Sequence, residues 1–439
     1  QQADTHPALW DEPWPSKLHH SLGHDLVAGR LAVMNGEISF VYGRSYLENP
    51  SSVALYLPEL PLETGEIRPL HGLSMASSIR DASPDAWGRR VILNRAFGVK
   101  GGELNGLELD ELTFLLESGS DRIGALDFQA SATHYIGRGT GHATLDQLLT
   151  AAERVEKNLP LSPELDQALH HGSSIGGARP KALIDDGARK FIAKFSSSSD
   201  TYSVVKGEYI AMRLAALSGL NVAPVEIVRA SGKDVLLVQR FDRVHAGNAW
   251  YRRSMVSALT MLELDEMHAR YASYQDLAET IRIRFTAVPE TLRELFSRLC
   301  FNILVGNTDD HARNHAAFWD NSSLTLTPAY DVCPQPRAGG EVGQAMLIVD
   351  QDRSSKIVTC LNAAPHFHLS PAQAIEIVSH QLRTIANNWR ALCAEAKLGE
   401  VDRALFWGRQ FLNPYAFYGL DGEASELVTL ADTIRAEQA

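Results

Sequence analysis

Asp309, Asn314 and Asp331 have the residue types and spacing to do chemistry on a phosphate. A carboxylate followed five residues on by an amide can orient a hydroxyl with the first group and bind a metal with the second. A second carboxylate, arriving after a hairpin, can complete the hold on Mg2+. Taken singly, Asp309 and Asn314 are equally readable as capping or turn residues behind a helix. Asp310 competes for the catalytic role and reads as a solvated or capping neighbour.

The elements that must position these residues surround the loop. Leu292, Leu295, Phe296, Leu299, Ile303 and Leu304 recur at the three-and-four spacing of one helical face. Gly306 and Asn307 stop that helix, as residues that tolerate left-handed backbone do. The polar loop therefore sits at the end of an apolar rod, a rigid support for chemistry. Residues 315–319 and 324–326, around a turn at 320–323, predict a hairpin that returns the chain to Asp331.

Upstream, Gly176, Gly177 and Ala178 lead into a strand, and such backbone can approach a polyphosphate closely. The stretch is not a Walker loop, and a plain turn is the other reading. Residues 189–195 alternate Phe191, Ala193 and Phe195 against Ile192 and Lys194. A lysine in such a strand wants an anionic partner, unless it lies at a sheet edge and reaches water. The helix predicted over 204–218 carries Glu208 on its apolar stripe, either as that partner or at the stripe's margin. Residues 225–228 and 235–242 predict a second hairpin. It leaves through Gln239, Arg240 and Phe241, where main-chain groups could meet adenine. From Ser254 helical periodicity dominates, most clearly at 288–306 and 371–399.

The first 150 residues show no catalytic cluster. A hairpin about Asn35-Gly36, a strand at 53–57, and helices at 77–97, 110–118 and 144–157 predict a small α+β domain with an interaction or scaffolding role. Pro160 and Pro163 mark its boundary.

The 439 residues suit two or three domains, and 45% hydrophobic with 21% charged residues is ordinary for a globular protein. A net charge of −12 argues against direct nucleic-acid binding and suits a basic partner. Cys300, Cys333, Cys360 and Cys393 show no metal-type pairing, which points to a reducing compartment. No apolar run is long enough to span a membrane and no signal segment is evident, so a cytoplasmic protein is expected.

Together these residues resemble the HipA family of bacterial serine/threonine kinases, the toxin half of HipBA toxin–antitoxin systems. The resemblance runs over nearly the whole chain. It is carried by residues 302–314 with Gly306-Asn307-Thr308-Asp309-Asp310-His311, and by Pro328-Ala329-Tyr330-Asp331. Ser174-Ile175-Gly176-Gly177-Ala178-Arg179-Pro180-Lys181, the Lys194 strand, Val238-Gln239-Arg240-Phe241-Asp242-Arg243 and Asp121-Arg122-Ile123-Gly124-Ala125-Leu126 support it.

The resemblance implies an α+β fold: a small N-terminal α+β domain (1–160), a mixed-sheet kinase-like N-lobe (161–243) and a helical C-lobe (244–439). It implies ATP and Mg2+. Asp309 would orient the substrate hydroxyl, Asn314 and Asp331 would hold Mg2+, and Lys194 would bind phosphate beneath the loop of Gly176, Gly177 and Ala178. Main chain at Gln239 and Phe241 would face adenine. His311 would lie by the phosphates or brace the loop, and Glu208 would pair with Lys194 as in protein kinases generally. Ser174, or its neighbour Ser173, would be autophosphorylated; the roughly two added negative charges repel ATP phosphates and expel the loop.

Implied partners are a HipB-like helix-turn-helix antitoxin, DNA mainly through that antitoxin, and a protein substrate such as glutamyl-tRNA synthetase or another aminoacyl-tRNA synthetase. A pseudokinase acting only as antitoxin-binding co-repressor is the alternative from another class. Retention of Asp309, Asn314, Asp331 and Lys194 together speaks against it. The serine beside the loop speaks against a small-molecule kinase.

Overall fold

The computed structural model describes residues 8–11, 26–34, 36–70, 72–97, 109–138, 143–170, 177–247, 249–337 and 339–438. The chain divides into two compact units. One comprises Gln1–Ser199, Val228–Val256 and Phe318–Ser322; the other comprises Asp200–Ile227, Ser257–Ala317 and Ser323–Ala439.

In the first unit, β1 (Ala8–Asp11), β2 (Leu26–Met34), β3 (Glu37–Tyr42) and β4 (Leu126–Gln129) form a sheet in the order β3-β2-β1-β4. β2 and β3 pair antiparallel about Gly36, whose φ of 84° is the left-handed backbone the predicted hairpin needs; Asn35 lies outside the described residues. The strand expected at 53–57 does not form. Val53, Ala54, Leu55 and Tyr56 are all buried, so this apolar run is an enclosed loop rather than a half-exposed strand. After α1 (Arg44–Leu47), the helix expected over 77–97 is split into α2 (Ser77–Arg80) and α3 (Ala86–Phe97). Pro84 lacks an N–H and disfavours helix in the residue before it. α4 (Glu111–Glu117) is capped by Asp110, which accepts the Thr113 N–H at 2.7 Å. α5 (Leu145–Glu156) opens with a Thr144–Gln147 capping box, and α6 (Pro163–His170) follows.

β5 (Lys181–Asp185), β6 (Lys190–Phe195), β7 (Val225–Ala230) and β8 (Lys233–Gln239) form a second sheet in the order β5-β6-β8-β7. β6 pairs antiparallel with both neighbours, and β7 and β8 are joined by a tight turn at Ser231-Gly232, so this sheet is antiparallel rather than mixed. Tight turns permit only that direction. Ala182, Phe191, Ala193, Phe195, Val235 and Leu237 form one core with residues of α5 and α6 and with Trp87 and Val91 of α3. Each large side chain buried there contributes about 1.5–3 kcal/mol. β9 (Arg243–Ala246), β10 (Ala249–Arg252) and β11 (Met255–Ser257) complete the segment.

The second unit is mainly helical: α7 (Val204–Leu217), α8 (Ala258–Met261), α9 (Tyr274–Arg284), α10 (Val288–Leu304), α11 (Ile357–Ala363), α12 (Pro371–Glu395), α13 (Glu400–Phe406) and α14 (Ser425–Gln438). α12 touches α7, α10 and α14. The predicted apolar stripe of α10 is buried throughout. The hairpin after the polar loop is β12 (Ala316–Trp319) and β13 (Leu324–Leu326). All four cysteines are buried and free. Among the described residues no helix is long and apolar enough to cross a membrane.

Candidate active site

α10 ends in a Schellman motif: Asn307 donates its N–H to the Asn302 carbonyl at 2.8 Å, and Gly306 to Ile303 at 3.2 Å. Gly306 has φ 72°, and a Cβ there would lie 2.6 Å from the Gln410 carbonyl oxygen, so only glycine fits. Asn307 does not share the left-handed backbone expected of it. Its side-chain amide donates to Asn302 Oδ1 at 3.0 Å and to the Asp331 carbonyl at 3.4 Å, while its own carbonyl accepts from Gln344 Nε2 at 3.0 Å.

The loop so launched is held at both ends. Asn314 Nδ2 donates to the Asp309 carbonyl at 3.2 Å, and the Tyr330 hydroxyl donates to the Arg313 carbonyl at 2.7 Å. Asp331, next to Tyr330, takes φ 59°, a left-handed conformation that costs a non-glycine residue about 1–3 kcal/mol and clusters at functional sites. The structure thus brings Asp309, His311, Asn314 and Asp331 together.

Asp309 is exposed on one side. Protein packed on its other side pushes its carboxyl above the usual range; His311 pulls it back in part, and the charges of Asp331 and Asp310 push it up again. Two carboxylates this close favour a cation. His311 Nδ1 is buried with no hydrogen-bond partner among the described residues, a polar atom left for something not of this chain. No group of three or more His, Cys, Asp or Glu side chains among the described residues forms a ready-made metal cage. A carboxylate from Asp331 and an amide oxygen from Asn314 are instead the sparse donor set of Mg2+ bound largely through substrate phosphates, so the residues present fit a magnesium nucleotide.

Asp310 is not the solvated neighbour the sequence suggested. It is 2% exposed, with Oδ1 3.0 Å from His315 Nε2 and Oδ2 accepting from the Tyr274 hydroxyl. Burial pushes its carboxyl up, but His315 and Tyr274 more than offset this and hold it below the usual carboxylate range. A carboxylate anchored this firmly fixes the main chain beside Asp309.

The remaining predicted residues lie elsewhere. In the first unit, Lys194 is half-buried, and the β5–β6 register sets it directly opposite Lys181, which is 4% exposed. The two lysines share a face with Leu183, Ile192, Leu236 and Val238. Like charges directly opposite repel unless other groups compensate them, and the same face carries apolar cover beside the two lysines. Nothing in the sequence signals that Lys181 stands opposite Lys194; only the register reveals it. Gly177, at φ 105°, packs its Cα against the Lys181 ammonium and accepts the Trp87 N–H at 3.2 Å; Ala178 is exposed. Gly176 and both candidate serines, Ser173 and Ser174, lie outside the described residues.

Gln239 stands opposite Phe191, while the next N–H, that of Arg240, goes to the Lys190 carbonyl at 2.8 Å. The main-chain groups of Gln239 therefore point away from β6. Phe241 packs edge-on against Phe318 at 5.9 Å. Glu208 is buried on α7 as its stripe position suggested, and belongs to the second unit, whereas Lys194 belongs to the first.

Comparison with known proteins places this geometry in context. Residues 22–129 match the model of the HipA N-terminal domain, and residues 173–389 that of the HipA-like C-terminal domain. The chain is 25% identical to "Putative kinase Y4mE" of Sinorhizobium fredii, over 72% of this chain and 79% of that protein. It is 27% identical to the serine/threonine-protein kinase toxin HipA of Shewanella oneidensis, over 36% of this chain and 42% of that protein. Among solved structures, a chain of the Shewanella oneidensis toxin–antitoxin complex of HipA, HipB and operator DNA aligns over 94% of this chain and 97% of its own length. That match has a TM-score of 0.63 and 20% identity, a likeness of fold.

Proposed function

We propose, for a chain that belongs to the HipA family of protein kinases, an ATP- and Mg2+-dependent serine/threonine kinase acting as the toxin of a toxin–antitoxin pair in the cytoplasm. The observation that supports this most is the pinning of Asp331 beside the Asp309–Asn314 loop by Asn307 and Tyr330.

Asp309 aligns the target hydroxyl and accepts its proton. The hydroxyl oxygen bonds to the γ-phosphorus as the bond to the β-bridging oxygen breaks, and ADP leaves with that electron pair. Mg2+, when bound by Asn314 and Asp331, supplies positive charge to the phosphate oxygens. Lys194, with Lys181 opposite, takes phosphate, and Glu208 is the residue that would pair with it as in protein kinases generally. His311 serves at the phosphates or braces the loop, and main chain at Gln239 and Phe241 serves adenine. The backbone of Gly176, Gly177 and Ala178 covers the phosphates, and Ser174 or Ser173 receives one in autophosphorylation. The partner is a HipB-like helix-turn-helix antitoxin, through which DNA is approached; the target is a protein serine, for which an aminoacyl-tRNA synthetase such as glutamyl-tRNA synthetase is the candidate.

The test is mass spectrometry of the protein after incubation with ATP and Mg2+. One phosphoserine on the peptide holding Ser173 and Ser174, absent from Asp309→Gln, is expected. No mass shift in either protein would replace this reading with that of a non-catalytic co-repressor.

A further inference from the structure

Residues 121–126 and 238–243, far apart in sequence, lock together inside the first unit. Asp121 Oδ1 accepts from Arg240 Nη1 at 3.0 Å and from Arg243 Nε at 2.9 Å, and its Oδ2 accepts from Lys190 Nζ at 2.9 Å. Asp242 Oδ1 accepts from Arg240 Nε at 2.9 Å. Its Oδ2 accepts from Arg240 Nη2 at 2.8 Å, Arg243 Nη1 at 2.9 Å and the Gly124 N–H at 2.8 Å. The Arg122 carbonyl accepts from both arginines. Arg240, Asp242 and Arg243 are buried.

The cluster carries more cations than carboxylates. The β9–β10 register sets Arg243 directly opposite Arg252, and both are buried. Facing like charges repel, and burial together with Arg240 pushes the Arg243 guanidinium down to about 10. Asp121 and Asp242 are the carboxylates that hold these cations in one place. Removing either leaves buried positive charge uncompensated, which disturbs the segment they hold.

The segment so held is the one through which β8 ends. Arg240 lies between Gln239 and Phe241, and Lys190, the third cation on Asp121, opens the strand that carries Lys194 four residues later. We propose that Asp121 and Asp242 are positioning residues of the nucleotide site. The N-terminal domain, through Asp121 to Gly124, fixes the main chain at Gln239–Phe241 and the start of the Lys194 strand, and so sets the affinity for an adenine nucleotide. This rests on the kinase reading above.

The experiment is calorimetric titration of the full chain with a non-hydrolysable ATP analogue and Mg2+, accompanied by melting curves and steady-state kinetics. Asp121→Asn is expected to weaken binding about tenfold and Lys190→Met about threefold, with kcat at saturating ATP within about threefold of wild type. Adding Arg243→Gln to Asp121→Asn should restore part of the affinity, because it removes the cation left facing Arg252. A merely structural role would lower the melting temperature and leave the nucleotide affinity of the folded protein intact, and that result overturns the proposal. Should Asp121→Asn not fold, Lys190→Met decides by the same criterion. A wild-type chain that binds no nucleotide overturns the kinase reading itself. A wild type that binds, with folded variants binding as tightly, overturns this inference alone.

Discussion

His315→Leu isolates what the buried Asp310 contributes. The leucine fills similar space but leaves Asp310 Oδ1, now 3.0 Å from His315 Nε2, without its donor. Leaving a buried carboxylate short of a hydrogen-bond donor costs about 3 kcal/mol. In a unit of this size 1 kcal/mol moves the melting temperature by about 2–4 °C, so at pH 7 the variant should melt about 6–12 °C below wild type.

The pH dependence gives the argument its sign. In wild type the Asp310 carboxyl is held below the usual range, so its contribution is present above the ordinary aspartate value of about 3.9 and is lost as pH falls through the folded value. In the variant, burial acts without the histidine and pushes the same carboxyl up. Its penalty then fades as it protonates, and the gap between the proteins narrows toward acid. Melting curves at pH 7 and pH 4.5 read both effects, and phosphorylation assays should show kcat falling as the main chain beside Asp309 loosens. A variant melting within about 2 °C of wild type at pH 7 would refute the buried-pair account. So would a gap that stays constant with pH.

Two further outcomes follow from the same loop. Gly306→Ala should cost about 2–4 kcal/mol, from left-handed strain plus the contact with the Gln410 carbonyl, read as a lowered denaturation midpoint at unchanged slope; an unchanged midpoint would contradict the close approach. Because the Asp309 carboxyl is raised and must be ionised to accept a proton, activity should disappear as pH falls through a value above the ordinary 3.9, and higher Mg2+ should move that limb to lower pH, since a cation favours the carboxylate. A pH–rate profile indifferent to Mg2+ would remove Asp331 from the immediate surroundings of Asp309.

What the sequence disclosed depended on whether a residue left a periodic trace. The α10 stripe ends at a glycine that nothing else could replace, so rod and loop were both readable. Glu208 was placed by its stripe, and Lys194 by strand alternation. The placing of Lys181 opposite Lys194 was hidden, because register depends on pairing that sequence patterns do not display. Asp310 was misjudged for a similar reason: Tyr274 lies 36 positions upstream, and a carboxylate awaiting distant partners looks like one facing water. The break before α3 was available from Pro84 and was overridden by apolar periodicity on either side. The segment at Asp121–Leu126 was noticeable as a motif, but its ion pairs to Arg240 span 119 positions and follow no period.

The bonds that shape the catalytic loop share a chemical logic. Asn314 donates to the Asp309 carbonyl, Tyr330 to the Arg313 carbonyl, Asn307 to the Asp331 carbonyl and Gln344 to the Asn307 carbonyl. Each spends a neutral side-chain donor on a main-chain acceptor, so the loop is fixed without using the Asp309 carboxylate. Asp310, by contrast, is consumed by the scaffold and buried. Adjacent aspartates thereby take opposite roles, one ionised and anchored, the other raised and open to solvent on one side.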